Sequence, residues 1–215
     1  MRGIIVALEG IDGSGLTTHS RLLASRLSGV GLRAVYTKEP TGGPVGQLIR
    51  QLLASGRPDP RVAALLFAAD RAWHLSQDPS LPGGVLGALE QGYVVVMDRY
   101  KYSSIAYQGA SGADPGWLWE VNSFAPEADI MVFIDVPVEV AVARVMSREV
   151  REGYETERFL RAVKEAFEGV LREAEARGAR VLRLSQVRDG KVMDVEAFSS
   201  LLFDKVSALL EESRR

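Results

Sequence analysis

A chain of 215 residues, 47% hydrophobic and 25% charged, can bury a full core, and one domain over residues 1–215 is expected. A formal net charge of −2 implies no strongly basic face, which argues against nucleic acid as a partner, and the lack of cysteine excludes disulfides and thiolate metal sites. No apolar run approaches the length of a bilayer span, and the first one is short and ends in Glu9, so no membrane partner and no signal peptide are expected and the expected compartment is the cytoplasm.

Strand and helix signals alternate along the chain. Residues 4–8 read as an apolar strand, 17–27 as a helix and 33–38 as a second strand. Helices are expected over 45–54 and 61–77, separated by a Gly/Pro-rich turn at 55–60, and a loop with two prolines follows at 78–84. The β-branched run 93–97 ends at Asp98, and a further strand is expected over 130–136, then a helix from 138 to about 148. The polar stretch 148–156 breaks the apolar pattern before an amphipathic helix at 157–177, a short strand at 180–184 and a last helix at 195–214. Nearly continuous apolar strands alternating with helices indicate an α/β fold, a parallel sheet of about five strands covered on both faces. Ligands are then expected at the carboxyl ends of the strands, at residues 10–18, 39–43 and 98–104.

The run Gly10-Ile11-Asp12-Gly13-Ser14-Gly15-Leu16-Thr17-Thr18 lies between a strand and a helix and fits the phosphate-loop pattern G-x-x-x-x-G-K-[ST], except that Leu16 stands in the lysine's place. Its glycines let backbone N–H groups turn toward an anion, and the helix N-terminus adds its own. Asp98 ends an apolar strand, where an acid either holds Mg²⁺ beside the Thr17 hydroxyl or serves as a helix cap or structural ion pair. Arg99 offers a planar fork for phosphate. Asp12 inside an anion loop is tolerable if it faces a sugar hydroxyl or a metal; it also suits a turn that bonds its own backbone. Phe67, Asp70, Arg71 and His74 share one face of the 61–77 helix, and an aromatic with an adjacent planar donor suits recognition of a base. His74 is expected at the helix surface or partly buried, and His19 is expected to be solvated. Arg144, Arg148 and Arg151, with Arg158 beyond, read either as a solvated helix end or as a lid at about 148–156 that neutralises a transferring phosphoryl group. Tyr102 and the segment 117–119 are expected mainly to pack.

Taken together, the loop at 10–18, Thr37-Lys38-Glu39-Pro40, Leu66-Phe67-Ala68-Ala69-Asp70-Arg71 and Asp98-Arg99-Tyr100 continuing to Gly109 resemble the thymidylate kinase family of P-loop nucleoside monophosphate kinases. The resemblance implies phosphoryl transfer from ATP to dTMP with Mg²⁺, in a homodimer. It implies that Gly10, Ile11, Asp12, Gly13, Ser14, Gly15, Leu16, Thr17 and Thr18, with Arg144, hold ATP, and that Thr17 and Asp98 hold the metal. Asp12 would accept from the 3′-hydroxyl of dTMP, Phe67 would stack on thymine and Arg71 would bond its carbonyl. Arg99, helped by Glu39, would hold the acceptor phosphate; Ser104 and Gln108 would line the base pocket; Tyr107 would crowd the sugar 2′ position. Arg99, Asp98, Arg148 and Arg151 would carry catalysis. Two positions depart from the family: Lys38 replaces arginine, and Leu16 replaces the loop lysine. Lys101, Lys38 or a lid arginine is expected to stand in for that lysine, so that Leu16→Lys gains little. The rival readings are a silent nucleotide binder of the same fold and a deoxynucleoside kinase.

Overall fold

The computed structural model describes residues 2–56, 58–147 and 156–212. Strand β1 (Ile4–Glu9) leads into helix α1 (Leu16–Gly29), and β2 (Ala34–Lys38) leads into α2 (Pro44–Ala54) and α3 (Pro60–Ser76). Both of the latter helices have proline in the first turn, where its fixed φ and missing N–H cost nothing. Next come α4 (Gly84–Glu90), β3 (Val94–Asp98), α5 (Lys101–Ala110) and α6 (Pro115–Val121). Strand β4 (Ile130–Asp135), helices α7 (Val138–Met146) and α8 (Glu157–Ala176), β5 (Arg180–Ser185), a hairpin of β6 (Val187–Arg188) and β7 (Lys191–Val192), and α9 (Val195–Glu212) complete the order.

The first five strands form one parallel sheet in the order β2-β3-β1-β4-β5, as the apolar strand pattern requires. Alternate strand residues serve opposite layers. Ile5, Ala7, Val95, Met97, Met131 and Phe133 pack toward α5 and α8, whereas Val6, Leu8, Val96, Ile130, Val132 and Ile134 pack toward α1 and α9. In register, Leu8 lies beside Asp98 and Lys38 beside the same Asp98. The strand ends that carry Gly10, Glu39 and Arg99 therefore meet at one edge of the sheet.

Three helices carry no signal in the periodicity, for separate reasons. Every residue of α5 from Lys101 to Gln108 is buried, so it has no polar stripe to reveal it. Helix α4 is seven residues long, and its cap Gly83 and first residue Gly84 both have positive φ. Helix α6 is equally short, although Asp114 caps it through Trp117 N–H and Pro115 opens it. The Asp189-Gly190 turn of the hairpin has positive φ at both residues, 51° and 73°, as a type I′ turn demands.

Candidate active site

The loop after β1 is shaped by two glycines. Gly13 and Gly15 have φ of 86° and 82°, and a Cβ on Gly13 would come within 2.3 Å of the Ala141 carbonyl oxygen of α7. Ser14 N–H closes the turn on Ile11 O at 3.1 Å. Helix α1 starts at Leu16 with no side-chain cap, so the first-turn N–H groups of Leu16, Thr17 and Thr18 are open to an anion. Residues 11–18 with Asp98 and Arg99 line the cleft over the loop. Leu16 is buried and packs with Val6, Leu8, Leu184 and Phe198.

Two of the expected stand-ins for the loop lysine, Lys101 and Lys38, are corrected by the structure. Lys101 is buried on another side of α5, with Nζ bonded to Ala125 O at 2.9 Å and Glu127 Oε1 at 2.7 Å. A buried ammonium keeps such partners, because moving it away would strip the Glu127 carboxylate of its counter-charge and leave it only the Tyr102 hydroxyl, 2.7 Å from Oε2. Lys38 is exposed at the end of β2 and does not line the cleft. Arg144 sits behind the loop, donating to Gly13 O at 3.0 Å. Arg148 and Arg151, and with them most of the expected lid, lie outside the described residues.

Asp98 accepts from Thr17 Oγ1 at 2.6 Å and from the Tyr36 hydroxyl at 3.2 Å, both on Oδ2. Among the described residues no cluster of three or more His, Cys, Asp or Glu side chains could hold a metal alone. One carboxylate and one hydroxyl fit Mg²⁺, which takes few protein oxygens and completes its shell with phosphate and water. Tyr36 is absent from the sequence-based set; burial first, and the charge of Asp98 next, raise its pKa and keep it a donor.

A second cleft opens between α3, α5 and the segment after β2. Asp12 and Arg99 line both clefts and join them. Arg99 has φ of 69°, a costly conformation for a residue with a Cβ. It is held there by NH1 bonds to Gly10 O and Ser103 Oγ, both 2.9 Å, and an NH2 bond to Asp12 Oδ1 at 2.6 Å. Burial works against its charge, but Tyr107, Asp12 and Asp98 more than offset it and the net shift is upward. Tyr107 Oη accepts the Asp12 N–H at 2.9 Å. Beneath them Glu9 is buried, accepting from Tyr100 N–H at 2.9 Å and from the Ser103 hydroxyl. Burial pushes its pKa up to about 8, against the hydrogen bond from Ser103 and the charge of Arg99. Glu9 and Ser103 were not singled out in the sequence, where Glu9 only ends an apolar run.

The far end of this cleft is lined by Phe67 and Arg71 from α3 and Ser104, Tyr107 and Gln108 from α5. Arg71 reaches Glu39 Oε2 at 2.6 Å and also bonds Asn122 Oδ1. Glu39 thus faces Arg71 and His74 rather than Arg99. Arg71 Nε, Ser104 Oγ and Gln108 Oε1 are three of only six buried side-chain polar atoms without a partner among the described residues. Buried polar atoms are nearly always bonded, so three orphans lining one cleft mark a place for a polar ligand.

Both histidines are more buried than expected. His74 is fully enclosed, its Nε2 2.6 Å from Thr37 Oγ1 and its Nδ1 3.1 Å from Glu39 Oε1, because the α3 face it shares with Arg71 packs on the end of β2. Asp70, on the same face, accepts from Thr41 N–H at 2.7 Å and fixes the segment after β2. His19 packs edge-on against Phe198 of α9, with Nδ1 2.9 Å from Ser199 Oγ. Burial, then the charge of Arg144, lower its pKa to about 4, so the ring is neutral near pH 7. Tyr102 and Trp119 pack against each other, as expected.

Comparison with known proteins agrees with this geometry. The family model for thymidylate kinase matches residues 8–184. A putative thymidylate kinase of Aeropyrum pernix is 49% identical over 98% of this chain and 99% of its own. A probable thymidylate kinase of Pyrobaculum calidifontis is 38% identical over 90% and 94%. The solved structure of thymidylate kinase from Candida albicans superposes with a TM-score of 0.72, at 27% identity over 96% of this chain and 92% of that one. With two joined clefts, an anion loop between strand and helix, and relatives of this similarity along nearly its whole length, the chain belongs to the thymidylate kinase family.

Proposed function

We propose that this chain transfers the γ-phosphoryl group of ATP to dTMP, giving dTDP and ADP. The observation that carries the choice of acceptor is the trio of unpartnered atoms beside Phe67. Arg71 Nε–H offers a donor, Gln108 Oε1 an acceptor, and the Ser104 hydroxyl either. The thymine edge presents a carbonyl oxygen next to N3–H, which complements a donor and an acceptor side by side. Cytosine presents an amine and a bare nitrogen there, and would leave both protein groups opposed.

With thymine at that end, the acceptor phosphate lies toward Arg99, where the two clefts meet. A phosphate oxygen attacks the γ-phosphorus, the bond to the bridging oxygen breaks, and the β-phosphate leaves as ADP. The acceptor is already an anion, so no general base is required and catalysis is positioning and charge neutralisation. The first-turn N–H groups of α1 hold the donor phosphates, and Arg99 places the acceptor. Thr17 and Asp98 would hold Mg²⁺, which neutralises charge on the β- and γ-oxygens. Asp12, anchored by Arg99 and facing the acceptor cleft, accepts from the sugar 3′-hydroxyl.

We further take the protein to act in the cytoplasm as a homodimer, by likeness to the family. Leu48 of α2 and Val62 and Leu65 of α3 are exposed and offer an apolar face for such a contact. Size-exclusion chromatography with light scattering should give twice the chain mass. A coupled ADP-release assay with dTMP, dUMP, dCMP and dGMP tests the activity. The expected result is fastest turnover with dTMP; equal rates across the panel would refute the base assignment.

A further inference from the structure

Without a lysine at position 16, the pull of the loop on phosphate comes from backbone N–H groups, and their direction matters more than in a loop with its own ammonium. Two peptide groups of the loop are gripped from behind. Gln186, just beyond β5, is buried, and its Nε2 donates to Ser14 O at 2.6 Å. Arg144 NH1 donates to Gln186 Oε1 at 2.8 Å and to Gly13 O at 3.0 Å. Gln186 is itself fixed by its main chain, with N–H to Asp135 O at 2.8 Å and O from Met193 N–H at 2.8 Å.

These peptides are trans, so each carbonyl points away from the N–H of the next residue. The Gly13–Ser14 peptide spends its N–H on Ile11 O. The Ser14–Gly15 peptide does not: Gly15 N–H has no partner among the described residues, and Gly15 lines the phosphate cleft while Gln186 does not. Pulling the Ser14 carbonyl backward is what turns the Gly15 N–H forward. Arg144, by holding Gln186 Oε1, fixes which end of the amide faces the loop.

We propose that Gln186 is a positioning residue for the donor phosphates, acting through the Ser14–Gly15 peptide to aim the Gly15 N–H into the cleft. The inference rests on the loop being the ATP site. Gln186→Glu keeps the size and the contact with Arg144 but cannot donate to a carbonyl, and its charge repels Ser14 O. Gln186→Met is a neutral second variant that removes the donor.

The test is titration calorimetry of wild type and both variants with MgADP and, separately, with dTMP, alongside thermal melting. Weakening of MgADP binding by about tenfold or more in both variants is expected, with dTMP affinity within twofold of wild type and KM for ATP rising while KM for dTMP holds. Unchanged MgADP affinity in a folded Gln186→Met protein would overturn the proposal. Equal loss of both ligands would overturn it too, since that marks general damage. Wild-type protein that binds dTMP but no MgADP would overturn the donor-site reading and this inference with it.

Discussion

Arg71 and Glu39 form an ion pair sealed from water, 2.6 Å apart with side chains 1% and 2% exposed. The pair joins α3 to the end of β2 and sets the wall of the acceptor cleft. Burial alone would push the Glu39 carboxyl up, but Arg71 and the His74 hydrogen bond outweigh it and hold its pKa below the usual value. Removing one partner of a buried pair strands the other charge, at a cost of about 3–5 kcal/mol. Glu39→Ala should lose that much stability in urea denaturation and bind dTMP more weakly, whereas a loss under ~1 kcal/mol would show that Arg71 finds another anion.

Arg99 reaches a carbonyl, a hydroxyl and a carboxylate at once, which an ammonium on a flexible stem cannot reproduce. Arg99→Lys should therefore behave much like Arg99→Ala, raising KM for dTMP by about tenfold or more. Steady-state kinetics with dTMP varied at saturating ATP measures this. A lysine variant with wild-type KM would reduce Arg99 to a point charge.

Tyr107 contributes a ring to the cleft wall and an oxygen to the Asp12 N–H. The two roles separate by substitution. Tyr107→Ala should lower the preference for deoxyribo- over ribonucleotide acceptors by about tenfold, and Tyr107→Phe should keep that preference. The ratio of kcat/KM for dTMP and its ribose counterpart decides it; an unchanged ratio in the alanine variant removes the steric role.

Glu9 predicts a pH dependence of stability. Its folded pKa, about 8, lies above the ordinary carboxyl value of 4.5, so the folded protein keeps a proton that the unfolded chain releases. The stabilisation is full below about pH 4.5 and declines as pH rises toward 8, by roughly 1.4 kcal/mol per pH unit at most. Glu9→Gln, which cannot ionise, should flatten that decline in denaturation midpoints measured from pH 5 to 8. A wild-type slope that survives the substitution would assign it to other groups.

At Leu16 the structure removes two of the expected stand-ins for the loop lysine, and the lid arginines Arg148 and Arg151 lie outside the described residues. With Lys101 and Lys38 elsewhere, Arg99 is the one cationic side chain among the described residues that lines the loop cleft. A lysine at 16 can lay its stem where the leucine packs and extend its ammonium to the cleft. Leu16→Lys should then raise kcat at saturating ATP and dTMP, by up to ~100- to 1000-fold. Unchanged kcat would mean that an arginine such as Arg148 or Arg151 already supplies the charge.

What the sequence determined by itself was local. The five strands, α1, the long helices and the phosphate loop were legible because each depends on neighbours within a few positions: apolar runs, a 3.6-residue period, and glycines where φ must be positive. Phe67, Arg71, Ser104, Tyr107 and Gln108 were found through motifs, and they do line one cleft. The tertiary structure decided which partner each polar group takes. Lys101 turns from the loop to Glu127, His19 and His74 are sealed in by α9 and β2, and Arg71 meets Asn122 from 51 positions away. Gln186 reaches Ser14 across 172 positions. No pattern in the sequence encodes such pairings, because a buried polar side chain bonds whatever group the packed core brings within 3 Å, and that is set by how the sheet orders its strands.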